Sequence, residues 1–268
     1  MGRASEVTTD SNDRALRVLS VPPGEVGDTT IHLMLQGKGG VGKSLVAVIL
    51  AQYLAQRAQK VQCIDTDPLN RTFAQYNALG VDRIQVRDEH NRIDQRSFDG
   101  LLERFLTERG ATFVVDNGAS TFLPLWHYLL ENCALEYLQE NHCKVYVHTV
   151  ITGGQALLDT LNGFRELAES TQQRNMVVWV NEFFGRVEAQ GKRFSEMTAF
   201  LESKDKICGI VVIAKRNQDT FGRDIEDMIS RKWTFQEAIV APEFQLLAKQ
   251  RLTIVRRELF EQLDEIAF

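Results

Sequence analysis

The chain has 268 residues, 44% hydrophobic and 25% charged, with 31 Lys and Arg against 36 Asp and Glu for a formal net charge of −5. That length holds one large domain or two small ones, and the composition excludes a disordered or fibrous chain. The acidic balance excludes the broad positive field behind non-specific nucleic-acid binding, so any DNA contact must come from a local patch.

No stretch approaches the roughly 18 uninterrupted apolar residues of a membrane span, and the first twenty positions lack the apolar run of a secretory signal. A cytoplasmic protein is expected. Cys63, Cys133, Cys143 and Cys208 form no CxxC pair, which argues against a disulfide framework or a structural zinc. Residues 1–29 are polar and carry Pro22, Pro23, Gly24 and Gly27, the composition of a poorly ordered lead-in. Residues 30–268 are read as one domain.

From Ile31 short apolar runs alternate with longer stretches that are read as amphipathic helices. The order is a strand IHLMLQ, a helix from Leu45, a strand KVQCID, a strand ATFVVD at 111–116, a helix over 122–139 and a strand at 144–151. A helix after Gly154, strands MVVWVN at 176–181 and CGIVVIA at 208–214, and a terminal helix at 243–268 follow. Segment 81–93 fits either an extra strand or a charged loop. Nearly continuous apolar strands separated by helices predict an α/β fold with a mostly parallel central sheet covered on both faces.

Directly after the first strand stands GKGGVGKS, residues 37–44. Gly37, Gly42, Lys43 and Ser44 satisfy the phosphate-loop pattern GxxxxGK(S/T). Glycines let successive N–H groups turn inward around phosphate oxygens, and the helix N-terminus that follows adds to the field. Lys43 would neutralise the β- and γ-phosphates, and the Ser44 hydroxyl would hold Mg2+. Val41 and Leu45 complete the loop and the helix start. The same string satisfies the dinucleotide fingerprint GxGxxG through Gly37, Gly39 and Gly42, with Asp65 placed as a ribose ligand. Dinucleotide binding gives no reason for Lys-Ser after the last glycine, whereas triphosphate chemistry needs both.

With Lys38 near its start, the loop resembles the deviant Walker A family, KGGxxGK(S/T), which includes partition, septum-positioning, nitrogenase-iron-protein and arsenite-pump ATPases. Lys38, Gly39, Gly40, Gly42, Lys43 and Ser44 all match that pattern. The resemblance implies a P-loop domain that binds ATP or ADP with Mg2+ and hydrolyses slowly. It also implies a nucleotide-dependent homodimer in which Lys38 reaches the partner's phosphates.

Asp65 and Asp67 end the second strand in IDTDP, where a parallel sheet presents ligands. The resemblance implies that Asp67 orients the attacking water and Asp65 lies on the metal side. A strand-end turn held by Asx hydrogen bonds is the plain reading of the same residues. Asp116 closes TFVVD and suits a residue that holds Mg2+ through water. It is followed by Asn117 and Gly118, where family members often carry a proline. Asn181, ending MVVWVN, matches the family's strand-end asparagine that hydrogen-bonds adenine. The segment after the last strand, IAKR, lacks the family's proline near the base, so ATP over GTP rests on resemblance alone.

QGKGGVGKS, IDTDPLN, VVDNGAS, HTVITGGQALLDTL, VVWVN and TFGRDIEDMI are similar to TraL-type proteins of conjugative transfer and to related StbB-type plasmid-stability ATPases. A partner protein in a transfer or partition apparatus is implied. The alternative is a nucleotide-dependent assembly protein of the transfer machinery with little turnover.

Other features have plainer readings. Gly153 and Gly154 suit a strand-to-helix turn or a second anion site. His142, Cys143 and His148 lack a fourth ligand at sensible spacing, so no metal is expected there. Phe122, Trp126 and Tyr128 suit either core packing or a partner surface. The terminal helix carries Leu252, Val255, Leu259, Leu263 and Ile266 on one stripe. Its acidic residues dilute the arginines, which favours docking on its own domain over a membrane. Lys249, Arg251, Arg256 and Arg257 are the candidate DNA patch.

Overall fold

The computed structural model describes residues 28–57 and 60–268. In chain order these form β1 (Thr29–Met34), α1 (Lys43–Ala55), β2 (Val61–Asp65), β3 (Asp82–Arg83), α2 (Ser97–Thr107), β4 (Thr112–Asp116), α3 (Phe122–Glu131) and α4 (Ala134–Glu140). They continue with β5 (Cys143–Thr152), α5 (Leu157–Ser170), β6 (Met176–Asn181), a short hairpin of β7 (Glu188–Ala189) and β8 (Lys192–Arg193), and α6 (Thr198–Ser203). The last elements are β9 (Ile207–Ile213), α7 (Arg223–Ser230), α8 (Phe235–Val240) and α9 (Leu246–Asp264). The expected lead-in lies outside the described residues except for Asp28 and Thr29, and Thr29 already belongs to β1.

Seven strands form one sheet in the order β3-β2-β4-β1-β5-β6-β9, and every pairing in it is parallel. Alternate strand residues face opposite layers, as the pleat requires. Ile31, Leu33, Phe113, Val115, Val147 and Val178 pack with α2 to α5. Met34, Val114, Val150, Val177 and Trp179 pack with α1 and α7 to α9. This two-sided covering explains why the strands read as continuous apolar runs.

The structure corrects several sequence expectations. The stretch 122–139 is two helices, because Cys133 takes a left-handed φ of 49° that breaks the hydrogen-bond ladder. Helix α1 is not amphipathic: Val46, Ala47, Val48, Ile49, Leu50, Ala51, Tyr53 and Leu54 are all buried, as expected for a helix apolar around its whole circumference. Segment 81–93 supplies the two-residue edge strand β3 and one antiparallel bridge, Arg87 to Ile93.

The stripe on α9 is buried through Leu252, Val255, Leu259, Phe260 and Leu263, so the helix docks on its own domain. Gln262 of α9 also caps the sheet edge, its amide accepting from Val212 N at 2.7 Å and donating to Val212 O at 3.2 Å. Phe122 and Trp126 are core residues, and Tyr128 packs partly buried against the same core. Among the described residues, no helix is long and apolar enough to cross a membrane.

One core contact is polar. His32 and His148 are both fully enclosed, with His32 Nδ1 and His148 Nε2 2.9 Å apart. Trp179 Nε1–H donates to His148 Nδ1 at 3.1 Å, which places the His148 proton on Nε2 facing His32. Burial pushes the His32 imidazole down to about 3 from 6.5 and lowers His148 as well. An unfolded histidine binds a proton below about 6.5, whereas folded His32 resists until about 3. Between those values the unfolded chain holds more protons, so acidification favours it. Denaturant titrations should therefore show wild type losing stability relative to His32→Phe as pH falls from 7 toward 4, by up to about 1.4 kcal/mol per pH unit. A constant difference across that range would remove His32 from the acid response.

Candidate functional site

Parallel pairing brings the ends of β1, β2 and β4 to one edge, where Met34 pairs with Asp116 and Asp65 pairs with Asp116. At the far side of the same edge Thr152 pairs with Asn181. The phosphate loop fills the space beyond β1. Gly40 and Gly42 adopt φ of 75° and 104°, backbone states that side chains with a Cβ resist. Gly42 is also hemmed in, since a Cβ there would meet Asn181 Nδ2 at 2.9 Å. Helix α1 starts at Lys43 with no side-chain cap, so its first backbone N–H groups are left for a ligand.

Lys43 is buried, and its ammonium donates to Lys38 O at 3.2 Å. Burial lowers its pKa, opposed by the charges of Asp116 and Asp67. Asp116 is 2% exposed, and burial raises its carboxyl to about 7, against a hydrogen bond from the Ser44 side chain. Asp116 Oδ1 has no hydrogen-bond partner. The site therefore holds a buried lysine and a buried carboxyl group that interact electrostatically without forming an ion pair. A pocket of about 470 Å3 opens over them, lined among others by Gly40, Ser44, Asp67, Asn117, Asn181 and Phe184. The orphaned carboxylate oxygen beside Ser44, under a left-handed glycine loop, fits a phosphate chain with Mg2+, which keeps most of its waters and takes few protein ligands. Among the described residues, no cluster of three or more His, Cys, Asp or Glu is arranged to hold a metal by itself.

The other aspartates have separate surroundings. Asp65 Oδ1 accepts from Asp67 N and Oδ2 from Ala74 N, both at 2.9 Å. Both oxygens thus tie down the loop after β2. Asp67 lines the pocket, with Oδ1 accepting from Leu69 N and Asn70 N at 2.8 and 3.1 Å. Gly118 presses on it, because a Cβ there would lie 2.7 Å from Asp67 Cγ. Asn117 accepts from Thr66 and Thr121 hydroxyls, which fixes the turn that carries Gly118.

Lys38 is 44% exposed and paired with Asp159 on α5 at 2.7 Å. The Asn181 amide is bonded at both ends to backbone, donating to Val41 O at 2.9 Å and accepting from Phe183 N at 3.1 Å. It thereby braces the loop while still lining the pocket where the family resemblance implies a base contact. Gly153 is an extended-backbone residue, and a Cβ on it would strike Arg186 O at 2.2 Å. The glycine pair is a close crossing of backbones, not an anion site.

Sequence reasoning missed Gln36, which is fully buried and donates to Val150 O and Thr160 O at 3.0 and 3.1 Å. A lone glutamine ending an apolar strand is a faint sign of such a role. It also missed Phe183 and Phe184, whose only sequence signal is an aromatic pair directly after a strand end.

A family model described as the CobQ/CobB/MinD/ParA nucleotide binding domain matches residues 33–241. The chain belongs to that family of nucleotide-binding domains. It is 45% identical over 238 residues to Protein TraL of Escherichia coli, an alignment covering 88% of this chain and 98% of the relative. A second Escherichia coli Protein TraL is 43% identical over the same length. Among solved structures, the MinC:MinD cell division protein complex of Aquifex aeolicus matches at 18% identity with a TM-score of 0.49, covering 87% of this chain and 96% of that one. A plasmid partition protein of Borrelia burgdorferi bound to AMPPNP matches at 16% identity with a TM-score of 0.46, covering 87% and 99%.

Gly42→Ala should lower stability by about 1–3 kcal/mol, since it adds a left-handed strain and a clash with Asn181. An unchanged melting temperature at neutral pH would contradict the close packing between Gly42 and Asn181.

Proposed function

We propose that this chain is a cytoplasmic, Mg2+-dependent and slow ATPase of the deviant Walker A type, which dimerises around its nucleotide and serves plasmid conjugative transfer or plasmid stability and positioning. The observation that carries this reading is the buried Lys43 and the unpartnered buried oxygen of Asp116 beneath the left-handed glycine loop. Burying a lysine and a carboxyl group without pairing them is costly unless a ligand completes the site. A polyphosphate on Lys43 and a divalent cation beside Asp116 would do so.

In this mechanism the loop N–H groups and Lys43 hold and neutralise the phosphates, and catalysis is mostly positioning and electrostatics. Mg2+, held by the Ser44 hydroxyl and through water by Asp116, would supply charge neutralisation across the phosphate oxygens. Asp67 orients the attacking water with the carboxylate oxygen not committed to Leu69 and Asn70. Asp65 acts indirectly, by fixing where Asp67 sits. The pairing of Lys38 with Asp159 on α5, outside its own cradle, supports action on a partner's phosphates after dimerisation. Leu69, Leu123 and Leu158 stand exposed on the segments after β2, β4 and β5, which supports a self-association face on the rim of the site. The plasmid role rests on the likeness to TraL-type proteins.

Lys43→Ala should weaken ATP binding by roughly 30- to 100-fold, the worth of a charge-assisted contact to phosphate; unchanged affinity would remove the phosphate-loop assignment. Asp67→Ala should bind ATP like wild type while steady-state hydrolysis collapses and a triphosphate-bound dimer accumulates in size-exclusion chromatography. ATP-dependent dimers that never turn over, with or without DNA and with transfer-machinery partners, would instead establish the assembly-protein alternative.

A further inference from the structure

Gln36 stands between β1 and the phosphate loop and is fully buried. A primary amide is rarely enclosed in this way unless its polar atoms are engaged. Its Nε2 reaches three acceptors on two elements: Val150 O at 3.0 Å and Thr149 Oγ1 at 3.3 Å on β5, and Thr160 O at 3.1 Å on α5. Its Oε1 accepts from Lys38 N at 3.4 Å. One side chain thus joins the sheet, α5 and the main chain of the loop's first lysine.

Helix α5 leaves room for that side chain. Gly163 is the only glycine in α5, and a Cβ on it would lie 2.2 Å from Gln36 Oε1. Glycine weakens a helix interior, so its presence where Gln36 approaches answers to the contact. Asp159 stands one turn earlier on the same side of the helix, and it is the partner of the Lys38 ammonium. Both the main chain and the head of Lys38 are therefore referred to one side of α5.

The Lys38 main chain is also held at its carbonyl, which accepts from Lys43 Nζ at 3.2 Å. An ammonium bonds phosphate more strongly than a neutral carbonyl. A phosphate chain in the loop therefore draws Lys43 away from Lys38 O and leaves the Lys38 N–H to Gln36.

We propose that Gln36 is a positioning residue for Lys38: by tying the Lys38 main chain to α5, it fixes the direction in which that ammonium leaves the loop, with nucleotide bound or absent. This deepens the nucleotide reading above and rests on it. Gln36 lies outside the lining of the nucleotide pocket. Its effect passes through Lys38, so it appears in turnover and dimerisation and not in the grip on the nucleotide.

Steady-state ATP hydrolysis and calorimetric ADP binding by the full chain test this with Gln36→Met, which keeps the volume and removes the amide. Its kcat should fall by ~10-fold while KM and ADP affinity stay within ~2-fold of wild type. Gly163→Ala, which presses on Gln36 from α5, should reproduce that split, and Gly163→Ala combined with Gln36→Ser should match Gln36→Ser alone. On the Asp67→Ala background, Gln36→Met and Lys38→Ala should each raise the dissociation constant of the ATP-dependent dimer, and together no further than Lys38→Ala does. Should Gln36→Met not fold, Gln36→Ser takes its place in every comparison. The proposal is overturned if Gln36→Met turns over and dimerises like wild type. It is equally overturned if ADP affinity falls as far as kcat, or if the Gln36 and Lys38 losses add in full, the results of a merely structural role. A wild-type chain that binds neither ADP nor ATP overturns the nucleotide reading itself, and this inference with it.

Discussion

The site depends on a buried lysine and a buried carboxyl group that are kept apart. Lys43 and Asp116 sit under the phosphate loop, each largely removed from water, and the carboxylate keeps one oxygen without a partner. A fold optimised only for stability would pair them or replace them with apolar side chains. Keeping them apart requires rigid surroundings, and the parallel sheet supplies these. Lys43 rides on the first turn of a helix buried on all sides, and Asp116 ends a strand whose five residues are all buried.

Around that pair the loops touch through positions where a Cβ would not fit. Gly42 lies against Asn181, Gly118 against Asp67, and Gly37 against the ring of Phe122, 3.1 Å from where a Cβ would sit. These contacts make the phosphate loop, the segments after β2 and β4, and the start of α3 one mechanical unit. The first turn of α3, which packs on Gly37 through Phe122, also carries the exposed Leu123. Hydrogen bonds accepted by Asp65 and Asn117 hold the intervening turns.

The rest of the chain serves the sheet. Helix α9 covers the face that α1 lies on and seals the β9 edge through Gln262, which answers the hazard of an open strand edge. The candidate DNA patch is partly committed as well, since Arg251 is paired with Asp224 at 2.5 Å and Arg256 reaches Gln236 at 3.2 Å. Exposed leucines stand both on the segments after β2, β4 and β5, as Leu69, Leu123 and Leu158, and at the start of α9, as Leu246 and Leu247.

Residue order by itself determined the parallel α/β class, because strands buried on both faces must be apolar throughout, and it determined the phosphate loop, because glycine spacing and Lys-Ser answer to backbone chemistry that holds wherever the loop sits. It also placed Asp65, Asp67, Asp116 and Asn181 at strand ends. What each of these does was decided only in three dimensions. Asp65 and Asn181 read in sequence as free ligands, yet each also holds backbone, Asp65 at Asp67 and Ala74 and Asn181 at Val41 and Phe183. The break at Cys133, the burial of α1 on every side and the place of Phe184 on the pocket wall were likewise out of reach. A hydrogen bond has a definite partner and a definite distance, and both depend on segments far apart in the chain, whereas a glycine turn or an apolar strand carries its physical reason within a few residues.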